Sequence, residues 1–95
     1  MKRYRISSLA RLDLDEIHDY IANDKPDAAR RWLRKTMDLF SWLAKNPLSG
    51  QVREDIRPNL RSFSHGNYVI YFRPRQDYLE VVRVLHGARD ILGLL

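Results

Sequence analysis

At Gly50 the spacing of the apolar residues changes. Before it, Leu9, Leu12, Ile17, Tyr20 and Ile21 recur at helical spacing. After a break at Asn23-Asp24-Lys25-Pro26, Ala29, Trp32, Leu33, Met37, Phe40, Leu43 and Ala44 do so again. Beyond Gly50, residues 60–63, 68–73 and 78–85 read as strands, the second of them rich in aromatic and β-branched side chains. A chain of 95 residues without cysteine has room for one small domain, residues 1–95, and no disulfide to hold it together. Its helical half and its strand half must therefore bury their apolar faces against each other.

The punctuation fixes the order of elements. Tyr4-Arg5-Ile6 is a short alternating strand, and Ser7 and Ser8 cap a first helix over residues 8–23. Pro26 suits the first turn of a second helix, where its missing N–H has no intrahelical partner, and that helix stops before Asn46-Pro47-Leu48-Ser49-Gly50. Ser64-His65-Gly66-Asn67 reads as a hairpin turn. Pro74-Arg75-Gln76-Asp77 reads as another, with Pro74 in the second position of a type I turn. The expected fold is α+β, in the order β-α-α-β-β-β, a helical hairpin on one face of a mostly antiparallel twisted sheet.

The net charge of +5 and a pI near 9.9 favour an anionic partner. In the second half every basic residue is arginine, which favours planar, multi-donor contacts with carboxylate or phosphate. Without cysteine and with three scattered histidines, neither a metal nor another cofactor is expected. No stretch is long and apolar enough for a bilayer, and Met1-Lys2-Arg3 is not followed by a secretory apolar region, so a cytoplasmic protein is expected.

Three groups stand out from the apolar pattern. On the first helix Asp13 falls on the apolar arc between Ile17 and Tyr20, and a carboxylate there requires backbone amides or an arginine, Arg83 or Arg89. On the last strand, alternation places Leu79, Val81, Arg83 and Leu85 on one face. On the second helix Trp42 sits at the edge of the apolar arc beside Lys35 and a basic stripe of Arg30, Arg31, Arg34 and Lys45, which is either a partner anchor or a solvated face.

The run Val84-Leu85-His86-Gly87-Ala88-Arg89-Asp90-Ile91 brings an imidazole, a glycine turn and a guanidinium to the end of a strand. It is a candidate site. In the plainer reading, Gly87 ends the strand and Arg89 and Asp90 are solvated. The apolar tail of Ile91, Leu92, Leu94 and Leu95 either closes the core or offers a contact patch.

Taken in order, residues 13–21, Asn46-Pro47-Leu48-Ser49-Gly50, residues 68–73 and the run from Val84 to Asp90 resemble the ParE toxins of bacterial type II toxin-antitoxin modules, within the ParE/RelE superfamily. The resemblance implies a toxin held in a hetero-oligomer by a ParD-type ribbon-helix-helix antitoxin. It also implies DNA gyrase as target, DNA being involved through gyrase, and growth arrest by binding, with no catalytic residue. The RelE branch instead cleaves mRNA on the ribosome, which requires cations on the phosphate and an acid/base pair. Glu54, His86 and Arg89 are the candidates for that alternative. Against it, Tyr68 stands where those ribonucleases place an arginine, and Gly87 follows His86 where some carry an aromatic. Target contacts are expected at the hairpin tip, Asn23, Asp24 and Lys25, and at His86, Arg89, Leu94 and Leu95. Antitoxin contacts are expected in the groove between hairpin and sheet, through Trp42, Arg57, Arg61, Arg73 and Arg83.

Overall fold

A computed structural model describes residues 3–89 and 91–95. The elements run β1 (Tyr4–Ile6), α1 (Ser8–Ala22), α2 (Pro26–Lys45), β2 (Gln51–Val52), β3 (Arg61–His65), β4 (Tyr68–Pro74) and β5 (Leu79–His86). The strands form one sheet in the order β1-β5-β4-β3-β2, with β1 parallel to β5 and every other pair antiparallel. The fold is therefore α+β with two helices on a mostly antiparallel sheet, as the change of period requires. The sequence reading lacks β2, whose two residues are both exposed and too few to show an alternation.

Local chemistry sets the boundaries. The Ser7 hydroxyl oxygen accepts the Ala10 N–H at 3.0 Å and starts α1, and Pro26 occupies the first turn of α2. Gly50 has φ +78°, and a Cβ there would lie 2.1 Å from the carbonyl oxygen of Ser62. Only glycine lets β2 close on β3. The β3–β4 turn is tighter than the expected four residues. His65 pairs with Tyr68 across Gly66-Asn67, so Ser64 and His65 remain in the strand. Pro74 is likewise not in the turn. It is the last residue of β4, opposite Leu79, and the reversal follows it, closed by Arg75 N–H to Tyr78 O at 2.8 Å.

Both sheet faces are covered. On the helix side Leu14, Ile17, Phe40 and Leu43 pack with Ile70, Phe72, Leu79, Val81 and Val84. On the other, Leu60, Tyr71, Val82 and Leu85 form a second cluster beneath Ile56, Ile91, Leu94 and Leu95. The sequence reading put Leu85 on the face of Leu79, and a bulge corrects it. Tyr71 pairs with Arg83 and Phe72 with Val81, which leaves Val82 unpaired and shifts the alternation by one residue.

The edge of β5 left open beyond the three-residue β1 is completed by side chains. Ser7 Oγ donates to Val82 O at 2.8 Å, and Asp13 Oδ2 accepts the Val84 N–H at 3.0 Å. Asp13, only 7% exposed, also accepts Arg83 Nε at 2.8 Å and Arg83 Nη2 at 2.9 Å. Of the two arginines considered for Asp13, Arg83 is the one that meets it. The bonds to Asp13 raise the pKa of the Arg83 guanidinium above its already high ordinary value, so the guanidinium stays charged.

Candidate functional site

A cleft of about 410 Å³ opens where the C-terminal half of α1 faces the β3–β4 turn and the end of β5. Glu16 and Tyr20 line it from the helix, Asn67 and Tyr68 from the turn, and His86 and Arg89 from the end of the last strand. The backbone there is held by Gly87 N–H to Asn67 O at 2.9 Å and Arg89 N–H to His86 O at 3.0 Å. Gly87 needs no left-handed conformation, and a Cβ on it would lie at an ordinary 3.5 Å from Asn67 O, so this glycine is not demanded by the turn. Asp90 lies outside the described residues, as do Met1 and Lys2.

The protonation pattern follows from the bonds. His86 Nδ1 accepts the Ala88 N–H at 3.1 Å, which places the proton of the neutral ring on Nε2. Tyr68 stands opposite His86 in register, with the rings edge to face at 5.6 Å, and Trp32 meets the other side of Tyr68 at 5.6 Å. Burial, and then the nearby Tyr20, push the Tyr68 phenol up, so at neutral pH it is a donor and not a base.

His65, the register partner of Tyr68 on β3, lies against the Trp32 ring at 6.0 Å. The buried Thr36 hydroxyl donates to Trp32 O at 2.7 Å, so it must accept at 2.9 Å from His65 Nε2–H. Burial, and then Lys35, hold the His65 pKa below its ordinary 6.5. Folding thus favours the neutral ring. Its contribution is complete above the unfolded value and is lost as pH falls through the lower folded one. Denaturation midpoints measured from pH ~7.5 to ~5 are expected to fall below pH ~6.5, and His65→Gln should flatten that part of the curve. An unchanged slope would remove His65 as its source.

The other expected contacts divide clearly. Asn23, Asp24 and Lys25 are exposed at the α1–α2 turn and border a shallow hollow with Tyr20 and Ile21. Tyr20, 78% exposed, is common to that hollow and to the His86–Arg89 cleft, so the hairpin tip and the strand end form one continuous surface. Leu94 and Leu95 do not join it, because they pack on the second cluster across the sheet. Glu54 is also elsewhere, in a hollow with Leu48, Asn59 and Arg61 that shares no residue with the cleft. The carboxylate that does share it is Glu16. On a helix wheel Glu16 reads as a solvated charge, and nothing in the sequence distinguishes it from the other solvated acids of α1.

Four arginines expected to meet acidic antitoxin side chains are engaged within the chain. Arg57 donates to Leu95 O, and Arg61 to Leu48 O at 2.6 Å and Ser49 O at 3.1 Å. Arg73 pairs with Glu80 at 3.2 Å, and Arg83 with Asp13. Trp42 remains 46% exposed beside the Phe63 ring at 5.8 Å. No helix among the described residues is long and apolar enough to cross a membrane.

Comparison with known proteins gives a consistent result. Residues 4–91 match the family described as ParE toxin of type II toxin-antitoxin system, parDE. Toxin ParE1 of Caulobacter vibrioides is 33% identical over 97 aligned positions, covering 98% of this chain and all of that one. Toxin ParE3 of the same organism is 29% identical over 87% of this chain and 84% of its own length. A solved chain of the chromosomal ParDE TA system from P. aeruginosa superposes with a TM-score of 0.76 over 90% of this chain and 96% of that one. At 20% identity it supports the fold alone.

Proposed function

The chain belongs to the ParE toxin family of type II toxin-antitoxin systems, and from that membership we propose that it arrests growth in the cytoplasm by binding DNA gyrase and is neutralised by a ParD-type ribbon-helix-helix antitoxin. The observation that carries this reading is the continuity of Asn23, Asp24 and Lys25 with Tyr20, His86 and Arg89. A toxin that acts by binding needs an exposed surface drawn from more than one element, with aromatic and arginine anchors, and this surface has both. The antitoxin engages a different part of the molecule, with Trp42 as its aromatic contact. Since Arg57, Arg61, Arg73 and Arg83 already have partners, acidic antitoxin side chains are met by other cations.

Ribosome-dependent RNA cleavage is the second reading, and one observation favours it. Glu16, His86 and Arg89 bring a carboxylate, an imidazole and a guanidinium to one cleft. Phosphodiester cleavage also needs several cations around the phosphate, whereas Arg89 is the one cationic side chain of described residues lining that cleft. Glu54 stands outside it.

Induced expression in bacteria, with DNA breaks and mRNA integrity followed together, separates the two. Broken DNA with intact mRNA is expected. Cut mRNA with intact DNA would transfer the function to the cleft, and His86→Ala and Arg89→Ala should then abolish cleavage while leaving the folded protein intact.

A further inference from the structure

The outward face of α2 is not used by the surface described above. At about 100° per residue, Arg31, Arg34, Lys35 and Lys45 fall within an arc of about 100°. All four are exposed, and among the described residues none of them forms an ion pair. Arg30, about 40° outside this arc, is turned to Asp27, and Asp27 and Asp38 are the acids on this face. From Arg31 to Lys45 the helix rises about 21 Å. Over that length one strand of a duplex presents a phosphate every ~3.4 Å along the axis.

The composition of the face decides between partners. The centre of a protein–protein interface is depleted of charge and centred on apolar anchors. This face has four free cations, and Trp42 at its edge is the sole large apolar side chain in the arc. Cations in a row with little apolar area suit repeated phosphates instead. Two of them are arginines, able to hold two phosphate oxygens at once.

We propose that the exposed face of α2 carrying Arg31, Arg34, Lys35 and Lys45 binds the phosphodiester backbone of duplex DNA without reading its sequence. This contact belongs to the toxin itself and holds whether or not gyrase is the target.

Fluorescence anisotropy of the purified chain with a labelled duplex of arbitrary sequence tests it. With four phosphates engaged, affinity should fall about 100-fold between ~50 mM and ~200 mM salt. The variant Arg31→Gln/Arg34→Gln/Lys35→Gln should bind at least ~10-fold more weakly at low salt and lose all but a few-fold of the salt dependence. Arg3→Gln/Arg11→Gln/Arg75→Gln removes as much charge from other exposed positions and should bind as the parent does. Equal weakening in both variants would reduce the effect to net charge and overturn the proposal. So would an absence of duplex binding alongside tight binding of a poly-glutamate peptide, which would assign the face to an acidic protein segment. Matching thermal midpoints for the three proteins exclude misfolding as the cause.

Discussion

Replacing Asp13 with alanine is expected to lower the unfolding free energy by about 3–5 kcal/mol, because one partner of a buried pair disappears and the other stays. Arg83, itself 9% exposed, would keep Leu94 O at 2.7 Å as an acceptor but lose both bonds to the carboxylate. The Val84 N–H would lose its acceptor too, at a position of β5 beyond the reach of β1. Against a total stability of 5–15 kcal/mol typical of natural domains, such a loss removes a large share. Asp13→Asn should cost less, since an amide oxygen can still accept from Val84 while the charge pair is broken. Asp13→Leu with Arg83→Met should recover much of the loss, because well-packed apolar residues often replace a buried pair without penalty. Urea denaturation measures all three. A loss below about 1 kcal/mol for the alanine variant would mean that the pair is hydrated and the sheet edge closed by other means.

The pair compensates for a short strand. β1 ends after three residues because the chain must turn at Ser7 into α1, and β5 continues beyond it. A polar group on the apolar arc of α1 is the least expensive way to cap those strand groups from the helix layer. The sequence showed the need for it, since a carboxylate between Ile17 and Tyr20 requires a partner wherever the helix packs. It left Arg83 and Arg89 equal, because the choice depends on the bulge at Val82. That bulge has no local mark in a run where Val81, Val82 and Val84 suit either face. The same shift moved Leu85 across the sheet.

Other gaps have related causes. The helices were legible because Ser7 and Pro26 punctuate a strong 3.6-residue period. The acceptors of Arg57 and Arg61 were not, because a backbone carbonyl leaves no signature in the side chains. Charge complementarity suggested external acids for those arginines, and the chain supplies internal oxygens first. The surface joining Asn23 to Arg89 was read as two separate candidates. Tyr20 connects them, and its helical spacing had marked it as core when it is among the most exposed apolar side chains.

The apolar tail poses the remaining choice between core closure and target contact, and its two answers differ in what a truncation does. Removing residues 91–95 takes Ile91, Leu94 and Leu95 off Leu60, Tyr71, Val82 and Leu85. At about 1–1.5 kcal/mol for each half-buried aliphatic side chain, that loss is about 3–4 kcal/mol. Arg83 and Arg57 would also lose the carbonyls of Leu94 and Leu95, at about 1 kcal/mol each. The truncated chain is therefore expected to be largely unfolded or to melt far below the parent, and to expose an apolar sheet face that favours aggregation. The milder Leu94→Ala keeps the backbone acceptors and should cost about 1–2 kcal/mol. Thermal melts and target binding, measured on the same samples, separate the alternatives. A tail that serves as a contact patch would leave the melting temperature unchanged while binding fell. A tail that closes the core lowers the melting temperature first, and Leu94→Ala should retain target binding wherever the protein is folded, since Tyr20, His86 and Arg89 lie across the sheet from it.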